Sequence, residues 1–327
     1  MKQVTPLPLF ASLLALGAAS LGAAIALGSV QIPPQELWRV LSGGGDEVAR
    51  TVIFELRLPR ALAAFGTGGL LALAGVLMQV LLRNPLADPY VLGVSGGAAV
   101  AALIAITAGL SGVWIDAGAF GGALAATLIV FAIARGPGGW TPARLLLTGI
   151  VMAAGFSAVI SLLLALGSDS SLRGMLFWLM GDFAFADRPA RLLVVLAAAI
   201  VASFVFARPL NVLARGELQA HLLGVPVRGL RIGIYVAASL LTALAVTTAG
   251  SIGFVGLVVP HLLRLAAGAD HRIVLPGAVL LGGALLVLAD TLARVVLAPR
   301  QLPVGALTAL IGVPLFLALM SRQRETV

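Results

Sequence analysis

The chain has 327 residues, of which 60% are hydrophobic and only 10% charged, and its mean hydropathy is +1.10. A soluble domain carries roughly 25% charged residues, so this composition excludes a water-facing globular surface and leaves lipid as the main solvent. The net charge of +8 comes without any long basic run, which fits loops obeying the positive-inside rule rather than a nucleic-acid stripe. The absence of cysteine excludes disulfides, thiolate zinc sites and cysteine nucleophiles.

The apolar runs are continuous, whereas barrel strands alternate over about ten residues. The fold class expected is therefore an all-α membrane protein, one transmembrane domain over residues 1–327. Leu7–Val30 is uncharged and longer than the roughly 7–15-residue core of a signal peptide, so it reads as a retained first span. Gln31–Arg60 reads as an outer connection with a short helix after Pro33-Pro34 and a turn at Gly43-Gly44-Gly45. Further spans are expected at about 61–82, 91–110, 117–134, 145–167 and 192–207, each near the 20 residues a bilayer requires. Between the fifth and sixth, Leu172–Gly181 reads as a short outer helix. After the sixth, Arg208–Arg231 reads as an inner loop with a helical piece around Gly216–Leu223. The run from Ile232 to Leu263 is too long for one span, and Gly250-Ser251-Ile252-Gly253 with Pro260 divides it into 232–250 and 257–268. Spans at 273–297 and 303–321 bring the count to about ten. With both termini inside, the inner face holds 12 of the 21 basic residues and four of the 13 acids, which is the sign the positive-inside rule requires. A faint internal echo relates Gly75, Leu81, Leu82 and Arg83 to Gly256, Leu262, Leu263 and Arg264 at one constant offset.

The missing chemistry is informative. No G-x-x-x-x-G-K-[ST] loop is present and Lys2 is the only lysine, so the chain cannot cradle ATP phosphates by that route. His221, His261 and His271 are too scattered to indicate a metal site, and no metal or cofactor is expected on this chain. An ion-coupled carrier needs a carboxylate near the midplane. The candidate, Asp290, lies in the outer part of its span and precedes Arg294 by four residues, the spacing of a structural ion pair. The energy source is therefore expected on another subunit. Arg57 and Arg60 frame Pro59 at the outer start of the second span. They read either as interfacial anchors or as a cationic pair that docks acidic groups of a soluble partner. The segment Glu217–Gly224 reads either as a plain connector or as a surface helix socketed into a cytoplasmic protein, with Leu218, Leu222 and Val225 near one side.

Several stretches in one order carry a resemblance: LRLPR at Leu56–Arg60, GVLMQVLLRNPLADPYVLGVSGG at Gly75–Gly97 and WLMG at Trp178–Gly181. GELQAHLLGV at Gly216–Val225, GSIGFVGLVVPHLLR at Gly250–Arg264 and DHRIVLP at Asp270–Pro276 follow, then ADTLAR at Ala289–Arg294 and LPVGALTALIGVP at Leu302–Pro314. On these the chain resembles the FecCD-type permeases of binding-protein-dependent ABC importers, which include cobalamin, ferric siderophore and haem permeases. The resemblance implies ten spans and a homodimer in the bacterial inner membrane. It implies two cytoplasmic ATPase subunits, on which ATP and magnesium act, and a periplasmic binding protein. It implies that Arg57, Arg60 and Arg294 meet acidic residues of the binding protein. It also implies that Glu217, Ala220, Leu222, Leu223 and Gly224 form the helix that couples to the ATPase. The inner constriction maps to Thr141, Pro142 and Ala143, although similar permeases carry hydroxyl residues where Pro142-Ala143 stand here. Arg173, in the short outer helix, is placed either against an anionic substrate or in a structural role. The function expected is import of an iron complex, haem or ferric siderophore, with cobalamin import as the alternative. A stand-alone ion-coupled transporter is a more distant alternative, and an intramembrane enzyme lacks the Asp, Glu or His cluster it would need.

Overall fold

The computed structural model describes residues 5–136, 140–184, 186 and 189–324, and the elements among them are helices. Lipid offers no partner to backbone N–H and C=O groups, so a long apolar run has to satisfy them internally. The first helix, α1 (Pro6–Ala26), opens on a proline, whose missing N–H costs nothing in a first turn. It ends four residues before the apolar run does. The next, α2 (Pro34–Leu41), also opens on proline and leads into the glycine turn, where Gly43 and Gly45 take positive φ.

The segment Gln31–Arg60 is more ordered than its sequence implies. Asp46 caps α3 (Glu47–Thr51), its Oδ2 accepting the Ala49 N–H at 3.2 Å. From there a π-helical stretch, Val52–Arg57, runs straight into α4 (Leu58–Leu81), giving one helix of 35 residues. The cause is Pro59, which cannot donate to the turn before it and whose ring would strike the carbonyl of Glu55 in a regular α-helix. Widening that turn to π geometry absorbs the ring without breaking the helix.

A 3-10 turn at Pro89–Leu92 then precedes α5 (Val94–Thr107). The remaining helices are α6 (Val113–Ala134), α7 (Pro142–Leu166), α8 (Asp169–Met180), α9 (Pro189–Val205) and α10 (Ala207–Ala214). They are followed by α11 (Glu217–Leu222), α12 (Val227–Ala249), α13 (Val255–Ala267), α14 (His271–Val295) and α15 (Val304–Arg324). Among the described residues six helices are long and apolar enough to cross a bilayer, and α9 with α10, bent by 61° at their junction, passes the same test as a pair. Shorter apolar helices are α5, α13 and the Val304–Leu319 part of α15. At 1.5 Å per residue α5 is roughly 21 Å long, less than the hydrocarbon core of about 30 Å. The chain before it is folded inward, with Pro89 and Leu92 buried, as irregular backbone at membrane depth has to be.

The long run from Ile232 breaks at Gly250–Phe254, but Pro260 lies inside α13 rather than at a boundary. Its missing N–H leaves the Gly256 carbonyl without its intrahelical donor, and Gly75 of α4 packs directly on that carbonyl. The two glycines of the internal echo are thus in contact. Gly68 meets the Gly282 carbonyl of α14 in the same way. These approaches make α4 the hub of the bundle, buried along nearly its whole length against α1, α9, α12, α13 and α14. Small residues are the means by which membrane helices pack this closely. In contrast, α7 buries only Leu145 and Gly149. The exposed apolar faces of α7 and α15 are linked by α8, which touches α15 and α5.

Candidate docking, coupling and pathway sites

At the end of the bundle that carries Gln31–Arg60, three arginines turn into the protein. The π stretch aims Arg57 at the C-terminus of α1. Its Nη1 donates to the carbonyls of Ile25 at 2.6 Å and Ala26 at 3.0 Å, and its Nη2 to the carbonyl of Val30. These are the carbonyls a helix end leaves without partners, so the guanidinium caps α1. Arg60 is the centre of an ionic cluster. Its Nε and Nη2 donate to Asp290 Oδ1 at 2.9 and 2.8 Å, Nη2 to Asp182 Oδ1 at 2.9 Å, and Nη1 to Gln301 Oε1 at 3.0 Å. Arg294 completes it, Nε to Asp290 Oδ2 at 3.1 Å. The i,i+4 spacing does form the ion pair, but Asp290 serves two arginines at 1% exposure. Each carboxylate oxygen accepts two N–H groups, the arrangement of a structural ion pair.

The three guanidinium groups form the floor of an outward cleft of about 490 Å³, with Glu55, Phe183 and Gln301 also on its walls. Asp182 and Gln301 were not singled out in the sequence. The available signal was a lone carboxylate directly after WLMG, in a chain where charge is scarce.

Behind the cleft three helix interruptions meet. The Asp182 N–H donates to the Ala249 carbonyl at 2.9 Å, and the Val304 N–H to the Gly181 carbonyl at 3.0 Å. Tyr90 Oη accepts the Ile252 N–H at 3.1 Å and donates to the Ile252 carbonyl at 3.0 Å. Ser95 and Ser251 pair at 3.0 Å. Each broken helix end thus satisfies another, the requirement for unwound backbone within a membrane.

At the other end of α4, beside Arg83, α11 stands on a pedestal. Glu217 Oε1 accepts from Arg231 Nη1 at 3.0 Å and lies 4.0 Å from Arg83 Nη2. Ala220 is fully buried beneath the helix, while Leu218, Leu222 and Leu223 are 74%, 79% and 71% exposed. Gly224 ends it at φ +75°, where a Cβ would be strained. The apolar side is therefore Leu218–Leu222–Leu223. Val225 turns inward, its N–H closing on the Ala220 carbonyl at 2.9 Å. A second clamp lies nearby: Asn211 of α10 donates to Asp270 Oδ1 at 2.8 Å and accepts the His271 N–H at 2.9 Å.

Thr141 caps α7, its Oγ1 accepting the Arg144 N–H at 3.2 Å, and Pro142 and Ala143 form the first turn. Arg173 is exposed on α8. His221 lies on α11, His261 is buried in α13 and His271 begins α14. Among the described residues no three His, Cys, Asp or Glu side chains converge on a metal position.

The sequence matches the profile of the FecCD transport family over residues 13–322. It is 40% identical over 321 residues to the hemin transport system permease protein HmuU of Yersinia pestis, covering 96% of this chain and 93% of the relative. It is 44% identical over 289 residues to the cobalamin import system permease protein BtuC of Halobacterium salinarum, covering 87% and 77%. Among solved structures, a metal-chelate type ABC transporter in an inward-facing conformation superposes with a TM-score of 0.84 at 34% identity, covering 97% of this chain and 100% of that one. The fold alone is shared with PsaBC of Streptococcus pneumoniae, at 17% identity and a TM-score of 0.55. The chain belongs to the FecCD transport family, as a multi-pass membrane permease subunit of an ABC importer.

Proposed function

We propose that this permease imports an iron complex, haem or a ferric siderophore, across the bacterial inner membrane, as one half of a homodimer driven by two cytoplasmic ATPase subunits. The observation that carries the ATP-driven part is α11: a rigidly seated helix whose leucines face water on the inner side, on a chain with no nucleotide loop of its own. Three apolar side chains left in water cost several kcal/mol of lost burial, at about 1.5–3 kcal/mol each, unless a partner covers them. ATP and magnesium act on that partner, and this chain binds no cofactor. The exposed faces of α7 and α15 would meet a second copy across the pathway, with Thr141, Pro142 and Ala143 at its inner mouth and Arg173 toward its outer mouth. A loaded binding protein would insert an acidic side chain into the outer cleft, where Arg57, Arg60 and Arg294 offer N–H groups at its floor. All ten apolar segments would then span, with both termini in the cytoplasm.

Cobalamin is the second reading, favoured by the 44% identity to an archaeal cobalamin permease. The deciding experiment is uptake into proteoliposomes that contain the permease, its ATPase and its binding protein. Haem or siderophore uptake that requires ATP is expected, and it should be abolished by Leu222→Ser with Leu223→Ser while binding-protein docking persists. Saturable cobalamin uptake with no iron-complex uptake would establish the second reading. Concentrative uptake by the permease alone would refute the ATP-driven one.

A further inference from the structure

The inner face carries a cavity that neither the pathway nor the coupling leucines use. It measures about 480 Å³ and lies between the C-terminal end of α6 and the first turns of α12, behind α11. Arg135, Arg228 and Arg231 converge on it from two helices, with Phe131 and Trp140 as its apolar wall. Trp140 stacks edge-on against Phe131, with centroids 3.9 Å apart, and Tyr235 closes the cluster at 5.5 Å from each. Tyr235 Oη also donates to the Thr127 carbonyl at 2.7 Å, fixing α12 to α6.

The charge in this cavity is unbalanced. The carboxylate on its wall, Glu217, is held by Arg231 and Arg83. Among the described residues neither Arg135 nor Arg228 has an ion-pair partner. The Arg231 side chain is only 11% exposed, and its Nε is buried with no acceptor. His221, also on the wall, adds no negative charge at any pH. The placement runs against local electrostatics as well. The N-terminus of a helix is its positive end, and α12 starts there with Arg228 in its first turn and no acid. The positive-inside rule explains why arginines lie on this face, but not why those of two helices converge on one cavity with an aromatic wall. A bound anion resolves both the unpaired arginines and the uncompensated helix end, while Arg231 is held in place by Glu217 and the Trp140 carbonyl.

The geometry points to a site for a phosphate-bearing anion, and we assign it to the headgroup of an anionic phospholipid of the inner leaflet. Below the arginines, Phe131 and Ile232 continue the wall, and exposed Leu128 and Val236 carry an apolar surface further along the same two helices. A headgroup on the arginines would lay its acyl chains along that surface. Basic pockets between spans on the cytoplasmic side are suited to such headgroups. The assignment depends on the membrane placement of the helices and not on which substrate is carried or on the ATPase.

The test uses Trp140 as its own probe. The full-length protein with Trp38, Trp114 and Trp178 changed to Phe is reconstituted in vesicles of phosphatidylcholine with increasing bromo-acyl phosphatidylglycerol, or with bromo-acyl phosphatidylcholine alone. Trp140 should be quenched at severalfold lower mole fraction by the anionic lipid, and Arg135→Gln with Arg228→Gln should remove that preference, at about fivefold per arginine. Both arginines are exposed, so the variant should keep the melting temperature of its parent, and Arg208→Gln, on α10 and outside the cavity lining, serves as a control that leaves the preference intact. Equal quenching by the two lipids would overturn the assignment. So would abolition of the preference by millimolar glycerol phosphate in the buffer, which would make the ligand a soluble phosphate. Loss of the preference whenever the ATPase is assembled would overturn it in favour of an acidic protein surface.

Discussion

Asp290 gives the sharpest test of how the outer end is held together. Asp290→Asn keeps the shape of the side chain and removes its charge, leaving Arg60 and Arg294 facing an amide. Asp290 is 1% exposed, and the two guanidinium groups have side-chain exposures of 10% and 5%, so water from the cleft reaches only the edge of the cluster and replaces little of the lost partner. Breaking a buried pair in this way costs about 3–5 kcal/mol. Arg60 keeps Asp182 and Gln301, which places the loss toward the lower end of that range. For a chain of this size the melting temperature should fall by roughly 4–7 °C, measured in detergent as the loss of the monodisperse peak after heating. The companion variant, Asp290→Leu with Arg60→Leu and Arg294→Met, removes the three most buried charges and leaves Asp182 to the N–H groups of Phe183 and Ala184. Replacing a whole buried ionic group with apolar residues is often neutral, so this variant should be more stable than Asp290→Asn while losing binding-protein docking. If the single variant melts within 1 °C of the parent, or the triple variant melts below the single one, the arginines are not held by Asp290 as described.

Two further outcomes follow from packing and capping. Gly75→Val should strongly reduce the folded yield, because a Cβ at Gly75 would collide with the Gly256 carbonyl and backbone cannot move aside as a flexible side chain can; overpacking of this kind costs about 1–3 kcal/mol or more, and Gly121→Val, in open space, should be tolerated. Asp270 is the cap of α14, and the Arg272 N–H, then Asn211, hold its carboxyl below the usual carboxylate range. A depressed acid stabilises the fold above its unfolded pKa of about 3.9 and loses that contribution as pH falls through its lower folded value. Asp270→Ala should therefore cost about 1 kcal/mol at neutral pH and flatten the acid limb of a melting-temperature profile below about pH 4.

Much of the architecture was legible because lipid enforces it. Runs such as Leu145–Ser168 and Ile273–Ala289 had no alternative to helix, and the Gly250–Gly253 interruption appears where glycine chemistry placed it. The coupling segment was legible from its stop signals at Gly224 and Pro226. What escaped was whatever depends on two distant segments meeting. Pro59 looked like the boundary of a span, and only the π stretch before it shows how a helix carries a proline through. Arg57 and Arg60 carried the same two readings in the sequence, yet one caps α1 and the other binds two carboxylates from 122 and 230 residues away. Tyr90 gave no signal at all, since its role is to serve a peptide group in a helix break more than 160 residues later.

The π stretch ahead of Pro59 has a consequence for how this end of the molecule can evolve. A π turn holds one residue more than an α turn. Losing a single residue between Val52 and Arg57 would close that turn to α geometry and leave the helix before it in nearly the same phase. The small apolar nest of Val40, Ala49 and Ile53 would keep its seat, and the cost would fall on Pro59, whose ring would then strike the carbonyl four residues earlier. The extra amino acid and the proline therefore form one inherited unit, each tolerable only while the other is present.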